Sequence, residues 1–295
     1  MAGAPTALTK LALGTTDPVD TGISFKDFDP GVTREIRDTT GTRGSFFSDG
    51  IRQVENKQNV EPRLSCEPST TELVYLMAWI MSGTPTGTTT KTFPWSDTAS
   101  VRNIHFKPTA GEEWFLGSVG VDNATFRASS GEPLSLDLDL LGRTFDATRT
   151  DFPVIAYDTT TQPWIMSNLV LVVGGVTRAC REFSFTVRNG LDRTRHLNSL
   201  TLTAVQKLAG GFMVSIEVPS GDNGAQFWAA GVTVEALTAT FTNPTTSAVF
   251  TITIADVRLV PKSPNFGQGA EGFLRLEGQA VRVGTNPPVT ITITP

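Results

Sequence analysis

Along most of the chain apolar and polar residues alternate one by one. In "PLSLDLDLLG", Leu134, Leu136, Leu138 and Leu140 take one face and Ser135, Asp137 and Asp139 the other, which is the period of a half-buried strand. "EFSFTVRNG", "SLTLTAVQ", "FMVSIEVP", "VTVEALTATF", "VFTITIADVRLV", "FLRLEGQAVRV" and "VTITIT" repeat the theme, separated by Gly, Pro, Asn or Asp. The paired glycines of "VVGGVT" and "LAGGFM" read as hairpin turns. This many alternating segments predicts a mainly β protein, an antiparallel sandwich or barrel.

One stretch, "EPSTTELVYLMAWIMSG", breaks the period. Ser69 followed by Glu72 is a capping box, in which each side chain satisfies a backbone N–H of the other's turn. Leu73, Leu76, Met77 and Ile80 then recur at helical spacing, and Gly83 is a natural stop. A helix over 69–82 is predicted, lying on a sheet and plugging one end of a barrel.

The order of parts recurs. "GISFKDFDPGVTRE" parallels "EFSFTVRNGLDRTR", and "PRLSCEPS" parallels "VSIEVPS", each a strand closed by Pro-Ser. After the second Pro-Ser, "GDNGAQFWAAG" predicts a short helix over 223–230, capped by Asp222 or Asn223. "NATFRASSGEPLSLDLDL" then parallels "LTATFTNPTTSAVFTITI". The spacings are uneven: Gly22 to Glu182 is 160 residues, Pro68 to Pro219 is 151 and Phe126 to Phe241 is 115. Extra loop in "GTPTGTTTKTFPWSDT" would account for most of the difference. The expected organisation is an N-terminal segment (1–18), a first module (19–150) with a long loop at 31–60, a linker (151–167) and a second module (168–295).

Composition narrows the classes. The 295 residues carry 39% hydrophobic and 18% charged side chains, ordinary for a globular protein. The formal charge of -5 argues against a surface that gathers nucleic acid. The N-terminus lacks a signal-peptide pattern, and the longest apolar run, "LVLVVGGV", is too short to span a bilayer. No membrane partner is expected, and synthesis and folding are expected in a cytoplasm. Cys66 and Cys180 read as small packing residues rather than a disulfide framework or metal site.

Candidate chemistry is sparse. His105 and His196 have no helper pattern, and no nucleophile elbow, P-loop or dinucleotide fingerprint is present. Asp137 and Asp139 lack a third ligand for calcium. The expectation is a non-enzymatic protein without cofactor or metal. Two arginine-bearing loops fall at matching places, with Arg34, Arg37 and Arg43 in one and Arg188, Arg193 and Arg195 in the other. They suit contacts with acidic patches of a neighbouring subunit.

Taken in order, "PRLSCEPSTTELVYLMAWIMSG", "FRASSGEPLSLDLDLLG", "FPV" at Phe152, "FSFTVRNGLD", "TFTNPTTSAVFTITI" and "PPVTITITP" resemble the tail tube (major tail) proteins of long-tailed bacteriophages. The resemblance covers most of the chain from about residue 20. It implies a β-sandwich module with a flanking helix, six modules per ring, and stacked rings that carry the genome through an acidic lumen. A duplicated chain would need three copies per ring, a single-module chain six. DNA would pass without specific binding, and the other partners would be the tape measure, tail terminator and distal tail proteins of the virion. On this reading Ser135, Asp137 and Asp139 face the bore, with Thr251 and Thr253 on the corresponding strand of the second module. Three chains would bring 3 × -5 = -15 charges to each ring. The rival readings are a two-domain adhesin or carbohydrate binder with Trp95, Trp114 or Trp164 at loop tips, and another virion structural or decoration protein.

Overall fold

The computed structural model describes residues 10–15, 21–38, 53–109, 111–155, 157–158, 162–196, 199–220, 227, 230–262, 272–282 and 287–295, apart from the side chains of 36–38 and 53–56. In the first half β1 (Lys10–Gly14), β2 (Thr21–Gly22), β3 (Asp27–Asp29), β4 (Val32–Asp38), β5 (Gln53–Val60) and β6 (Arg63–Cys66) precede helix α1 (Thr70–Met81). They are followed by β7 (Lys91–Phe93), β8 (Val101–Thr109), β9 (Glu112–Ser129), β10 (Ser135–Leu141) and β11 (Thr144–Asp146). The second half holds β12 (Leu169–Val173), β13 (Val176–Arg178), β14 (Glu182–Arg188), β15 (Gly211–Pro219), β16 (Thr233–Thr242), β17 (Val249–Pro261), β18 (Phe273–Ala280) and β19 (Val289–Thr294).

Strand pairing builds two layers. A central sheet runs β3-β6-β10-β9-β14-β15-β18-β17, antiparallel throughout. The long strands β9 and β17 continue out of it into a covering layer. There β2-β1-β8-β9-β11 covers the first half, and β13-β12-β16-β17-β19 covers the second, with β7 added at its edge. Phenylalanines fill the space between. Phe28 of the central sheet meets Phe106 at 4.7 Å between ring centroids, Phe126 meets Phe250 at 5.8 Å, and Phe183 meets Phe241 at 5.9 Å. Inward positions of most strands thus become one core, and outward positions keep the polar residues that alternation assigned them.

The same order of pairings occurs twice. β1, β2, β3, β6, β8, β9, β10 and β11 pair among themselves as β12, β13, β14, β15, β16, β17, β18 and β19 do. Even a bulge is shared: register shifts between Arg102 and Ile104 in β8 and between Glu235 and Leu237 in β16. The N-terminal segment set apart at 1–18 supplies β1 and so belongs to this plan. The strand in the place of β10 is β18, not the Phe250–Ile254 stretch of β17, which holds the place of β9. "NATF" lies in β9 and "TATF" in β16, the counterpart of β8, so the likeness joins strands that hold different places.

Helix α1 follows its sequence signals closely. Ser69 Oγ accepts from Glu72 N at 3.3 Å, and Glu72 Oε2 accepts from Ser69 N at 2.9 Å. Glu72 Oε1 also takes Ser24 N at 2.7 Å, tying the helix start to the strand entry before β3. The left-handed terminus falls on Ser82 (φ 62°) rather than Gly83. Gly83 serves close approach instead, since a Cβ there would lie 2.1 Å from Pro94 O. Of the expected short helix at 223–230 only Phe227 and Ala230, both helical, are among the described residues.

Three further segments depart from expectation. "SLTLTAVQ" is not a strand, and its Leu202 is buried against Leu141 and Leu191. The glycines of "LAGGFM" end a long loop into β15, whereas those of "VVGGVT" do form the hairpin turn, with φ 59° and 77°. The described parts of the 31–60 loop form the antiparallel hairpin β4–β5, separate from the main sheet.

Because Glu72 is buried and satisfies two backbone donors, Glu72→Ala is expected to destabilise the fold by about 2–4 kcal/mol. Ser69→Ala is expected to cost about 1 kcal/mol. Urea unfolding followed by circular dichroism checks the order of the two.

Candidate functional site

The central sheet presents a single continuous polar face. Cross-strand register places Asp27 beside Ser65, Ser65 beside Asp137, and Asp137 beside Thr125. The row continues through Thr186, Met213 and Gln279 to Arg258. A parallel row runs from Arg127 through Ser184 and Ser215 to Glu277. Ser135, Asp137 and Asp139 therefore do share one open face. Their neighbours on the second half come from "EFSFTVR", "FMVSIEVP" and "FLRLEGQA", whose polar positions carried the same alternation.

Thr251 and Thr253 lie elsewhere. They belong to the part of β17 in the covering layer, opposite Thr240 and Thr238, with Phe250 and Ile252 turned to the core between them. They face away from the central sheet, on the opposite outer surface of the sandwich. The counterparts of Asp137 and Asp139 are Arg275 and Glu277 on β18.

Side chains lace this face together. Ser65 Oγ donates to Asp137 Oδ1 at 2.7 Å, Asn123 Nδ2 to Asp139 Oδ2 at 3.5 Å, and Arg275 Nε to Ser215 Oγ at 3.0 Å. Arg63 lies 3.5 Å from Asp139, Arg127 3.8 Å from Asp137, and Lys262 3.3 Å from Glu277. Each such exposed pair contributes at most about 1 kcal/mol; their larger effect is on the field. Across the face Asp27, Asp29, Asp137, Asp139, Glu182, Glu217 and Glu277 are interleaved with Arg63, Arg127, Arg181, Arg188, Arg258, Lys262 and Arg275. These charges balance, so the acidity of the chain is not concentrated among them.

The two halves are locked at one seam. β9 and β14 pair from Ser129–Glu182 to Asn123–Arg188. Just beyond, Asn189 is buried and fully used. Its amide donates to Ile80 O and Val121 O at 2.9 Å each, and its Oδ1 accepts from Trp95 Nε1 at 3.1 Å. Asp122 takes Leu191 N at 2.7 Å and Arg193 at 2.6 Å, and Arg193 also reaches Glu61 at 3.2 Å. Arg193 thus ties the second half to the first. Arg188 stands exposed on the polar face and Arg195 is half-buried. Arg34 is exposed on the β4–β5 hairpin; the Arg37 side chain and Arg43 lie outside the described residues.

Groups with chemical potential are engaged in structure. His105, Glu113 and Asp151 bring ligand atoms within 4.8 Å of one another. However, Lys107 and Phe152 N hold Glu113, and Arg149 holds Asp151 at 2.8 Å. Burial pushes the Glu113 carboxyl up, but the hydrogen bonds from Lys107 and Phe152 outweigh it and keep it below its usual range. The paired charges latch the segment after β11 to β8 and β9. Burial raises the Cys66 thiol far above its usual range and that of Cys180 to about 12, so neither is an activated nucleophile. Trp164 is fully buried, Trp95 packs on Phe212, and Trp114 packs on Phe106 and Phe145. None of the three offers the exposed loop-tip platform that a sugar binder needs.

Asn189→Ala would orphan two carbonyls and an indole N–H in the core. A loss of about 2–4 kcal/mol is expected, read by denaturant unfolding, with both halves melting together.

Comparison with protein families gives a match over nearly the whole chain: the family model described as phage tail tube protein covers residues 6–294. No curated protein matches the chain.

Proposed function

The chain belongs to the phage tail tube protein family, a structural component of the virion tail, and on that premise we propose that it assembles into stacked rings whose bore delivers the genome. The carrying observation is the eight-strand central sheet, polar on one face and covered on the other, in which two equivalent sets of strands are already joined edge to edge at β9 and β14. Eight strands closed on themselves leave an interior only wide enough for side chains, whereas larger barrels hold an aqueous channel. Three copies would contribute 3 × 8 = 24 strands. At about 4.8 Å per strand and a tilt near 40°, the backbone-to-backbone diameter is about 48 Å, room for a hydrated duplex.

The chain would then act as two tandem modules (19–150 and 168–295, extended by β1), giving a ring of three with six similar units. Ser135, Asp137 and Asp139 would line the bore with Arg275 and Glu277. The named carboxylates and cations of that face balance one another. In this reading the bore lets DNA slide because its charges are mutually paired, rather than because it is strongly acidic. The β4–β5 hairpin, which carries Arg34 and Arg37 on β4, would stand out toward the adjacent ring, with Arg43 as a further candidate contact. Tape measure, tail terminator and distal tail proteins would be the other partners.

Negative-stain microscopy of concentrated protein is expected to show rings or tubes; a protein monomeric at all concentrations would end this reading. Asp137→Lys with Asp139→Lys is expected to leave rings intact but lower infectivity in a complementation assay by about tenfold or more, through phosphate attraction along the bore. Unchanged infectivity would remove those residues from the channel.

A further inference from the structure

Hollows that open on the polar face of the central sheet differ in charge. One, of about 450 Å³, is lined by Arg127 and Arg275 together with Glu182 and Glu217. Another, of about 250 Å³, is lined by Arg63 and Arg193 together with Asp29, Glu61 and Asp139. A third, of about 550 Å³ at the end of β14 and β15, has Arg188, Gln279, Met213 and Leu208 around a glycine floor, with no carboxylate among its described lining residues. The repeat relates the last two. Arg63 and Asp139 hold the places of Ser215 and Glu277, so Glu61 stands where Met213 does. Gln279 faces Met213 across the strands, and its Nε2 would lie 3.7 Å from a Cβ on Gly211, the residue paired with Arg188. Its amide thus reaches over the glycine beside that arginine. Arg63, Arg127, Arg181, Lys262 and Arg275 each pair with a carboxylate. Among the described residues Arg188 has no such partner. Neither has Arg258, which lies opposite Gln279 on β17 with Asp256 two positions before it.

We propose that this hollow is a contact site for the phosphodiester backbone of a duplex, with Arg188, Gln279 and Arg258 as its donors. The proposal rests on the ring reading and adds where in the bore a phosphate finds a partner. A paired guanidinium offers a passing phosphate little, because its own carboxylate repels the same group. Arg188 and Arg258 lack that neighbour. They stand three strands apart, about 14 Å, while the phosphates of one strand follow about every 3.4 Å along the duplex axis. The two arginines therefore engage one backbone at separate phosphates. A carboxylate would satisfy the same donors singly; the repeated charge of a nucleic-acid strand satisfies both at once. The glycine floor allows close approach, and Met213 and Leu208, 45% and 69% exposed, give the sugar an apolar wall. Contacts of this kind carry no sequence information and permit sliding. With one site per chain, a three-copy ring holds the duplex from three sides at one level, and the three pulls cancel at the axis.

The test uses full-length chains, diluted below the concentration at which sedimentation velocity detects rings. Fluorescence anisotropy of a short labelled duplex is followed as salt rises from about 0.02 to 0.2 M. Arg188→Ser with Arg258→Ser should weaken binding equally for duplexes of unrelated sequence. It should also lower the slope of log K against log salt by about 2. Lys10→Ser with Lys91→Ser removes the same charge from strands of the covering layer and should leave the slope unchanged. Gln279→Glu, which sets a carboxylate in the hollow, should weaken binding about tenfold or more. Circular dichroism melts should show every variant folded like wild type. Equal slopes for wild type and the arginine variant, or an oligoglutamate peptide that binds wild type more tightly than the duplex, overturn the site and leave the ring reading standing. Wild-type protein that forms no rings when concentrated overturns the ring reading instead.

Discussion

The antiparallel pairing of β9 with β14 is the contact on which the remaining architecture depends. A β-sheet edge left in water is a row of unsatisfied donors and acceptors, and here the edge of the first half is satisfied by the first central strand of the second. That pairing makes one polar face out of two and brings Phe126 beside Phe185, at 6.3 Å between ring centroids. It also delivers Asn189 to the end of α1. The last carbonyls of a helix need outside donors, and Ile80 O receives one from Asn189 while Met81 O receives another from Ser96 N at 3.0 Å. The helix in the first half is therefore finished by a residue of the second.

Much of this was legible in the alternation of the chain, because period two follows directly from strand geometry and needs no knowledge of partners. Ser69 and Glu72 were equally readable, since a capping box is local. What could not be read is which strands adjoin. Thr251 and Thr253 alternate with Phe250 and Ile252 as cleanly as Asp137 and Asp139 do with the leucines, yet they lie on the other side of the sandwich. A strand as long as β17 passes from one layer to the other, and a bulge shifts which positions face out. Arg193 shows a related limit: its loop position suggested an outside partner, but Asp122, which holds it, is far away in sequence and beyond the reach of any local pattern.

Charge is arranged rather than merely present. A chain of net -5 might have put its excess on the polar face of the central sheet. Instead that face interleaves arginines with carboxylates on neighbouring strands, and hydroxyl and amide side chains fill the spaces. Interleaving of this kind lowers the potential that a passing polyanion meets while keeping the surface wet.

The strand β7 gives the fold a temporal constraint. It lies before residue 94, yet it completes a sheet edge by pairing with β19, where Lys91 faces Ile293 and Thr90 bonds Thr294 at 2.8 Å. Contacts across such a span form late and close a loop of 204 residues between Thr90 and Thr294. A ribosome-bound chain cannot make them until the last strand has emerged. Until β19 is in place, β7 has no partner strand among the described residues and β17 lacks one of its neighbours.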